Sequence, residues 1–115
     1  MSNEKKPIDP RLIAAPFSYK DLVQYQDGAV VSRTIIDKPE GTVTVFAFDK
    51  DQQLSTHSAP FDALAEVIDG TGVFTIDGNP HEVSSGQQII MPANHPHAVS
   101  ARDAFKMTLI MIRSK

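Results

Sequence analysis

The stretch from Gly86 to His97, GQQIIMPANHPH, decides the fold. A β-prone run from Gln88 to Met91 ends at Pro92, which has no N–H to give to a sheet ladder. Ala93 and Asn94 then supply a bend, and Asn is a residue type that tolerates a left-handed backbone. The chain re-enters a strand at His97, and the bend aims that imidazole inward. Upstream lies HSAPFDALAEVIDGTG, residues 57–72, a second β-prone run that starts on a histidine and ends in an Asp-Gly turn.

Outward from this stretch, β-branched and aromatic runs alternate with turn residues from Gly28 onward. AVVSRTIID and TVTVFAFD read as strands of a meander, followed by QLSTH, DALAEVID, GVFTID, HEVS, QIIMP, HAVSA and AFKMTLIMI. Asp69-Gly70, Asp77-Gly78-Asn79 and Ser85-Gly86 mark the bends. Short strands at this spacing predict an all-β sandwich or barrel over residues 28–115. Alternation puts Phe74 and Ile76 on one face of their strand. It sets Val43, Val45 and Ala47 against Phe46 and Phe48 on theirs. Both faces are therefore apolar in several strands, which predicts a homodimer formed by sheet packing.

Residues 1–27 read as an N-terminal arm and a short irregular or helical segment. The first ten residues, polar with Pro7 and Pro10, suggest a mobile arm or one ordered only against a partner. Phe17 to Gln26 allows one helical turn with Ser18 as its cap.

Composition narrows the function classes. The 115 residues, 41% of them hydrophobic, suffice for one domain with one core. The net charge of −3, from 11 basic and 14 acidic residues, comes with no basic block, which argues against binding driven by nucleic-acid phosphates. With no cysteine there is no disulfide, no thiolate metal site and no thiol nucleophile. No apolar run approaches the roughly 20 residues that span a bilayer, and MSNEKKPIDPR lacks the apolar stretch of a secretory leader. A cytoplasmic protein with no membrane partner is the expectation. There is no internal repeat and no low-complexity tract.

Chemistry falls to the four histidines, His57, His81, His95 and His97, because no nucleophile elbow, glycine-rich phosphate loop or Cys–His pair is present. Neutral imidazoles in an apolar barrel need a divalent metal, a water or a ligand as partner. The competing reading of His57 is a solvated loop residue, and that of His97 a hydrogen-bonding plug at the barrel mouth. His95 shares a face with His97 in an extended chain unless Pro96 splays them. His81 reads as ordinary sheet. Asp62 is a candidate hard-cation ligand or general base, or equally a cap on the turn after Pro60. If Ala63, Ala65 and Val67 face inward, Glu66 faces out. Met91, Met107 and Met111 read as core filling.

These two segments resemble the paired motifs of the cupin superfamily, G-x5-H-x-H-x3or4-E-x6-G and G-x5-P-x-G-x2-H-x3-N. In the second motif Gly86, Pro92 and His97 match, Asn94 stands at the turn Gly and Ala101 at the final Asn. In the first, Asp51 stands at the opening Gly and two registers fit. Counting back from Gly70 puts Ala63 at the Glu, His57 at the first His and Ala59 at the second. A loop one residue longer puts Ser55 and His57 at the two His positions and Asp62 at the Glu. The resemblance implies a double-stranded β-helix, or jelly-roll barrel, often paired as a homodimer. It also implies a divalent transition metal (Fe, Mn, Ni or Zn) held here by His57, His97, Asp62 and His95. It places His57 opposite the strand of His97.

Three functions remain open at this point. The first is a metal-dependent enzyme acting on a small organic molecule by oxygen chemistry, isomerisation or decarboxylation. The second is a metal-free barrel binding a small-molecule ligand as a sensor or carrier. The third is an interaction module. Fold alone does not choose among them, since function resides in the site.

Overall fold

Among the described residues, turns separate nine short strands. The computed structural model describes residues 6–114. The strands are β1 Val30–Lys38, β2 Gly41–Phe48, β3 Gln53–His57, β4 Phe61–Asp69, β5 Thr71–Ile76, β6 Asn79–Ser84, β7 Gln88–Met91, β8 His97–Ser100 and β9 Phe105–Arg113. Every β-prone run expected from sequence is a strand, with small shifts at the ends. Among the described residues, no helix is long and apolar enough to cross a membrane.

All pairings are antiparallel and form two sheets, ordered β1-β2-β9-β4-β7 and β3-β8-β5-β6. The architecture is all-β, the double-stranded β-helix. Sequence neighbours pair directly only in the β1–β2 and β5–β6 hairpins, and the expected meander breaks after β2, whose second neighbour is β9 rather than β3. Burial explains this. Phe105, Lys106, Met107 and Thr108 of β9 are all buried, as a strand covered on both faces requires, whereas β3 is mostly exposed and crosses to the rim of the other sheet.

The core lies between the sheets. Phe48 stacks on Phe105 with centroids 4.7 Å apart and planes within 9°, and Phe74 meets Phe105 edge-on at 6.1 Å. Phe48 and Phe105 belong to the five-stranded sheet and Phe74 to the four-stranded one, so this trio joins the two layers. Gly72 makes the approach possible, since a Cβ there would lie 2.6 Å from two ring carbons of Phe105. Ala63, Ala65, Val67, Val99 and Met91 extend the core toward the opposite end of the barrel.

On β2 the alternation is as expected, with Phe46 and Phe48 inward and Val45 and Ala47 outward. Part of that outer face is covered by the chain itself: Tyr19, Leu22 and Val23 close over Val45 and Ala47. A 3-10 turn at Tyr19–Asp21 starts at Ser18, whose side chain makes no capping hydrogen bond. Lys106, on the same face, is buried and donates to the Lys20 carbonyl at 2.7 Å, with its ammonium 5.0 Å from the Tyr25 ring centre. Tyr25 donates to Asp69, and burial followed by that carboxylate pushes the phenol well above its usual value, so it remains a donor.

Of the ten residues expected as a mobile arm, 1–5 lie outside the described residues, while the rest are tied to the chain's own sheet. Asp9 N–H donates to the Ile35 carbonyl at 2.9 Å, and Asp37 N–H to that of Pro7 at 2.8 Å. The Arg33 guanidinium, 2.7 Å from the Asp9 carboxylate, holds that carboxyl at about 2. An edge strand with unpaired donors recruits such a segment.

Replacing Gly72 with Ala drives a methyl group into the Phe105 ring. The expected loss is about 1–3 kcal/mol of unfolding free energy, read by denaturant titration. An unchanged midpoint would show that the ring yields without cost.

Candidate functional site

The trio of phenylalanines closes one end of the barrel, and the other end carries the histidines. β3 and β8 pair so that His57 stands directly opposite His97, with a register irregularity between Leu54 and His57. The two imidazoles meet edge to face, with centroids 4.4 Å apart. His97 is buried and His57 exposed, so the pair spans the barrel mouth from lining to rim.

The turn that aims His97 is built by residues already legible in the sequence. Asn94 has φ of 65°, the left-handed conformation that its side chain tolerates. Asp51, where the first motif has its Gly, has φ of 67°. Asn94 N–H donates to the Ala59 carbonyl at 2.9 Å, and Ala93 N–H to Asp62 Oδ1 at 2.9 Å. The β7–β8 turn is thereby fastened to the segment that joins β3 to β4, and the two sides of the mouth are held in register.

Each ring is oriented by its inner nitrogen. His57 Nδ1 lies 2.8 Å from the Ser55 carbonyl and His97 Nδ1 lies 3.2 Å from that of His95. A carbonyl only accepts, so both imidazoles in the neutral state carry their proton on Nδ1 and leave Nε2 as a lone pair. Backbone carbonyls anchor metal-binding histidines in this way, fixing tautomer and ring orientation. Burial pushes His97 below its ordinary value, and the neighbouring His57 adds to that. The His95 carbonyl opposes both without overcoming them. His97 therefore stays neutral at pH 7.

Between the sheets, beneath the two rings, is a cavity of about 40 Å³. Volume on this scale accommodates an ion or a few water-sized atoms. Its walls include Ala59 and Ala63, the apolar side chains of Leu54, Phe61, Val99 and Leu109, and all three of Met91, Met107 and Met111.

Two of the four expected ligands come together here and two do not. Asp62 faces away, because on β4 the inward residues are Ala63, Ala65 and Val67, and its carboxylate caps the Ala93 N–H. Asp62 thus caps a turn, but the β7–β8 turn rather than the one after Pro60. His95 is splayed from His97 by the turn and lies 2.8 Å from the Asp77 carboxylate, with both side chains about half exposed. His81 lies exposed on β6, opposite Phe74. Glu66 faces outward, beside Gln88 and Thr108 in the neighbouring strands. Of the two motif registers, the one that puts Ala59 and Ala63 beside His57 matches the cavity wall. The methionines, expected as filling, also line the site. Only strand pairing reveals this, since Met91 and Met111 are the cross-strand neighbours of Ala63 on its two sides.

The Cupin domain family matches residues 44–113, most of the chain. The chain belongs to the cupin family. Among solved structures, this cupin is similar to a conserved protein of unknown function from Streptococcus pyogenes. That match has 33% identity and a TM-score of 0.89, covering 98% of this chain and 99% of the other. It is also similar to a cupin 2 conserved barrel domain protein from Leptotrichia buccalis, with 40% identity and a TM-score of 0.84, covering 86% of this chain and 48% of the longer one. A cupin superfamily protein from Desulfitobacterium hafniense, 20% identical with a TM-score of 0.83, shares the fold, covering 95% of this chain and 97% of the other. No curated protein matches the chain.

The three-histidine, one-glutamate set that the cupin motifs describe does not fit this cavity. Among the described residues no three His, Cys, Asp or Glu side chains gather, and alanines stand where a second histidine and a carboxylate would be. What the mouth offers is two imidazoles in an otherwise apolar wall.

The depressed His97 gives a pH signature. Above its ordinary value of 6.5 the ring is neutral whether the chain is folded or not, and the term vanishes. As pH falls through that value the unfolded chain takes up a proton that the fold resists, so stability drops until the folded ring protonates too. Urea unfolding between about pH 7 and pH 5 is expected to show this loss, and a His97→Gln variant to show less of it. Equal slopes in both proteins would remove His97 as its source.

Proposed function

We propose that this cupin binds a small guest at the barrel mouth through His57 and His97, as a carrier or sensor rather than as a catalyst built on a carboxylate-held divalent metal. The observation that carries this reading is that two imidazoles, each anchored through Nδ1 to a backbone carbonyl, line one apolar cavity. No carboxylate or other general acid–base group accompanies them in the cavity wall. Two acceptors in an apolar setting bind a cation, or a donor group of a ligand whose remainder lies outside the mouth.

The test is ¹⁵N NMR of the imidazole side chains during titration with Zn(II), Ni(II), Cu(I) and a small ammonium ligand such as methylammonium. At least one probe is expected to shift Nε2 of both His57 and His97, with His57→Ala lowering the affinity of that probe. Failure of every probe to move either ring would refute a guest site.

The proposal includes a homodimer. Ile36, Val43, Ile110, Leu64 and Ile90 are in register across all five strands of the larger sheet, an apolar row on its outer face. Ile90 and the nearby Ile112 are 65% and 61% exposed. A two-fold rotation lays such a row on its own copy, which supports a second chain as its cover. Light scattering during size exclusion is expected to give a dimer mass for the native chain and a monomer mass for Ile110→Asp. A monomeric native chain would overturn this part.

A further inference from the structure

The methionines give the barrel mouth a chemistry that the histidines alone do not. In the larger sheet Ala63 is flanked on one side by Met91 of β7 and on the other by Met111 of β9, so the three form one inward-facing row. Side chains directly opposite across antiparallel strands have Cβ atoms about 5 Å apart, and the short Ala63 leaves the space between the two thioethers open. Met107, two residues from Leu109 and four from Met111 on β9, lines the same cavity. The facing sheet contributes the His57–His97 pair. Two histidines from one layer and three methionines from the other thus line one cavity with room for an ion.

We infer that the barrel mouth is a soft monovalent cation site, in which Cu(I) is held by the Nε2 atoms of His57 and His97 together with thioether sulfur from Met91 and Met111. The inference rests on the guest-site reading above and names the guest.

Charge and softness both favour this cation. Among the described residues, no carboxylate lines the cavity to offset a buried charge, and a thioether sulfur carries none. The Born cost of burying an ion grows with the square of its charge, so a divalent cation costs about four times as much as a monovalent one of similar size. Hard divalent ions also prefer oxygen donors, whereas thioether and imidazole together select Cu(I). The alternative role for the methionines is to fill irregular gaps with flexible side chains, which leucine would do nearly as well. That contrast sets the experiment.

Anaerobic protein kept under ascorbate is titrated with Cu(I) against a chromophoric bidentate Cu(I) chelator, and with Zn(II) in parallel. The proteins are the native chain, His57→Ala, and Met91→Leu combined with Met111→Leu, with thermal melts confirming that each folds. Leucine conserves volume at both positions, and the single Met111→Leu variant, at a partly exposed site, serves if the double variant is unstable. One Cu(I) per chain is expected, weakened at least about tenfold by either set of changes, with Zn(II) affinity altered by His57→Ala but not by the leucines. X-ray absorption at the copper edge is expected to show sulfur neighbours in the native complex and their loss in the leucine variant. Cu(I) bound equally well by the leucine variant, or with no sulfur neighbour, overturns the inference. Absence of Cu(I) binding while another probe still moves the imidazole resonances overturns it and leaves the guest site standing. Silence from every probe removes both.

Discussion

The stack of Phe48 on Phe105, seated against Gly72 of the opposing sheet, is the contact on which the rest of this barrel depends. Two sheets with apolar inner faces gain most by excluding water where their largest side chains meet, and full burial of each phenylalanine contributes about 1.5–3 kcal/mol. The missing Cβ at residue 72 lets the layers approach there. Rings fill that end, and the histidines and methionines line the cavity at the other.

The mouth is held in one geometry by hydrogen bonds. Asn94 and Ala93 fasten the β7–β8 turn to Ala59 and Asp62, and carbonyls orient both imidazoles. A preorganised pair of lone pairs loses little freedom when a guest arrives. The alanines at 59 and 63 put methyl groups in the cavity wall where the cupin motifs carry a second histidine and a carboxylate. Asp62 still matters to the site, through the turn it caps.

The outer face follows from the same shortage of polar cover. Val45 and Ala47 lie under the chain's own Tyr19–Val23 segment, which is anchored by Lys106, by Tyr25 with Asp69, and further upstream by Asp9 with Arg33. In the row from Ile36 to Ile90, Val43, Leu64 and Ile110 are only half-buried and Ile90 is exposed, in contrast with the shielded Val45 and Ala47 on β2.

Strand and turn positions were legible in the sequence because they depend on near neighbours. Alternation, Asp-Gly bends, the break at Pro92 and the left-handed position at Asn94 are each decided within a few residues. The pairing of His57 with His97 was legible only through the resemblance of the motifs. Single-residue arithmetic left two registers, and the pleat of β4 chose between them by turning Ala63 inward and Asp62 outward. Tertiary structure alone decided that β9 lies between β2 and β4. It alone brought Met91 and Met111 to either side of Ala63 and folded residues 19–23 over β2. Those contacts join residues far apart in the chain, and their free energy comes from burial shared by the whole domain, which no local stretch of sequence contains.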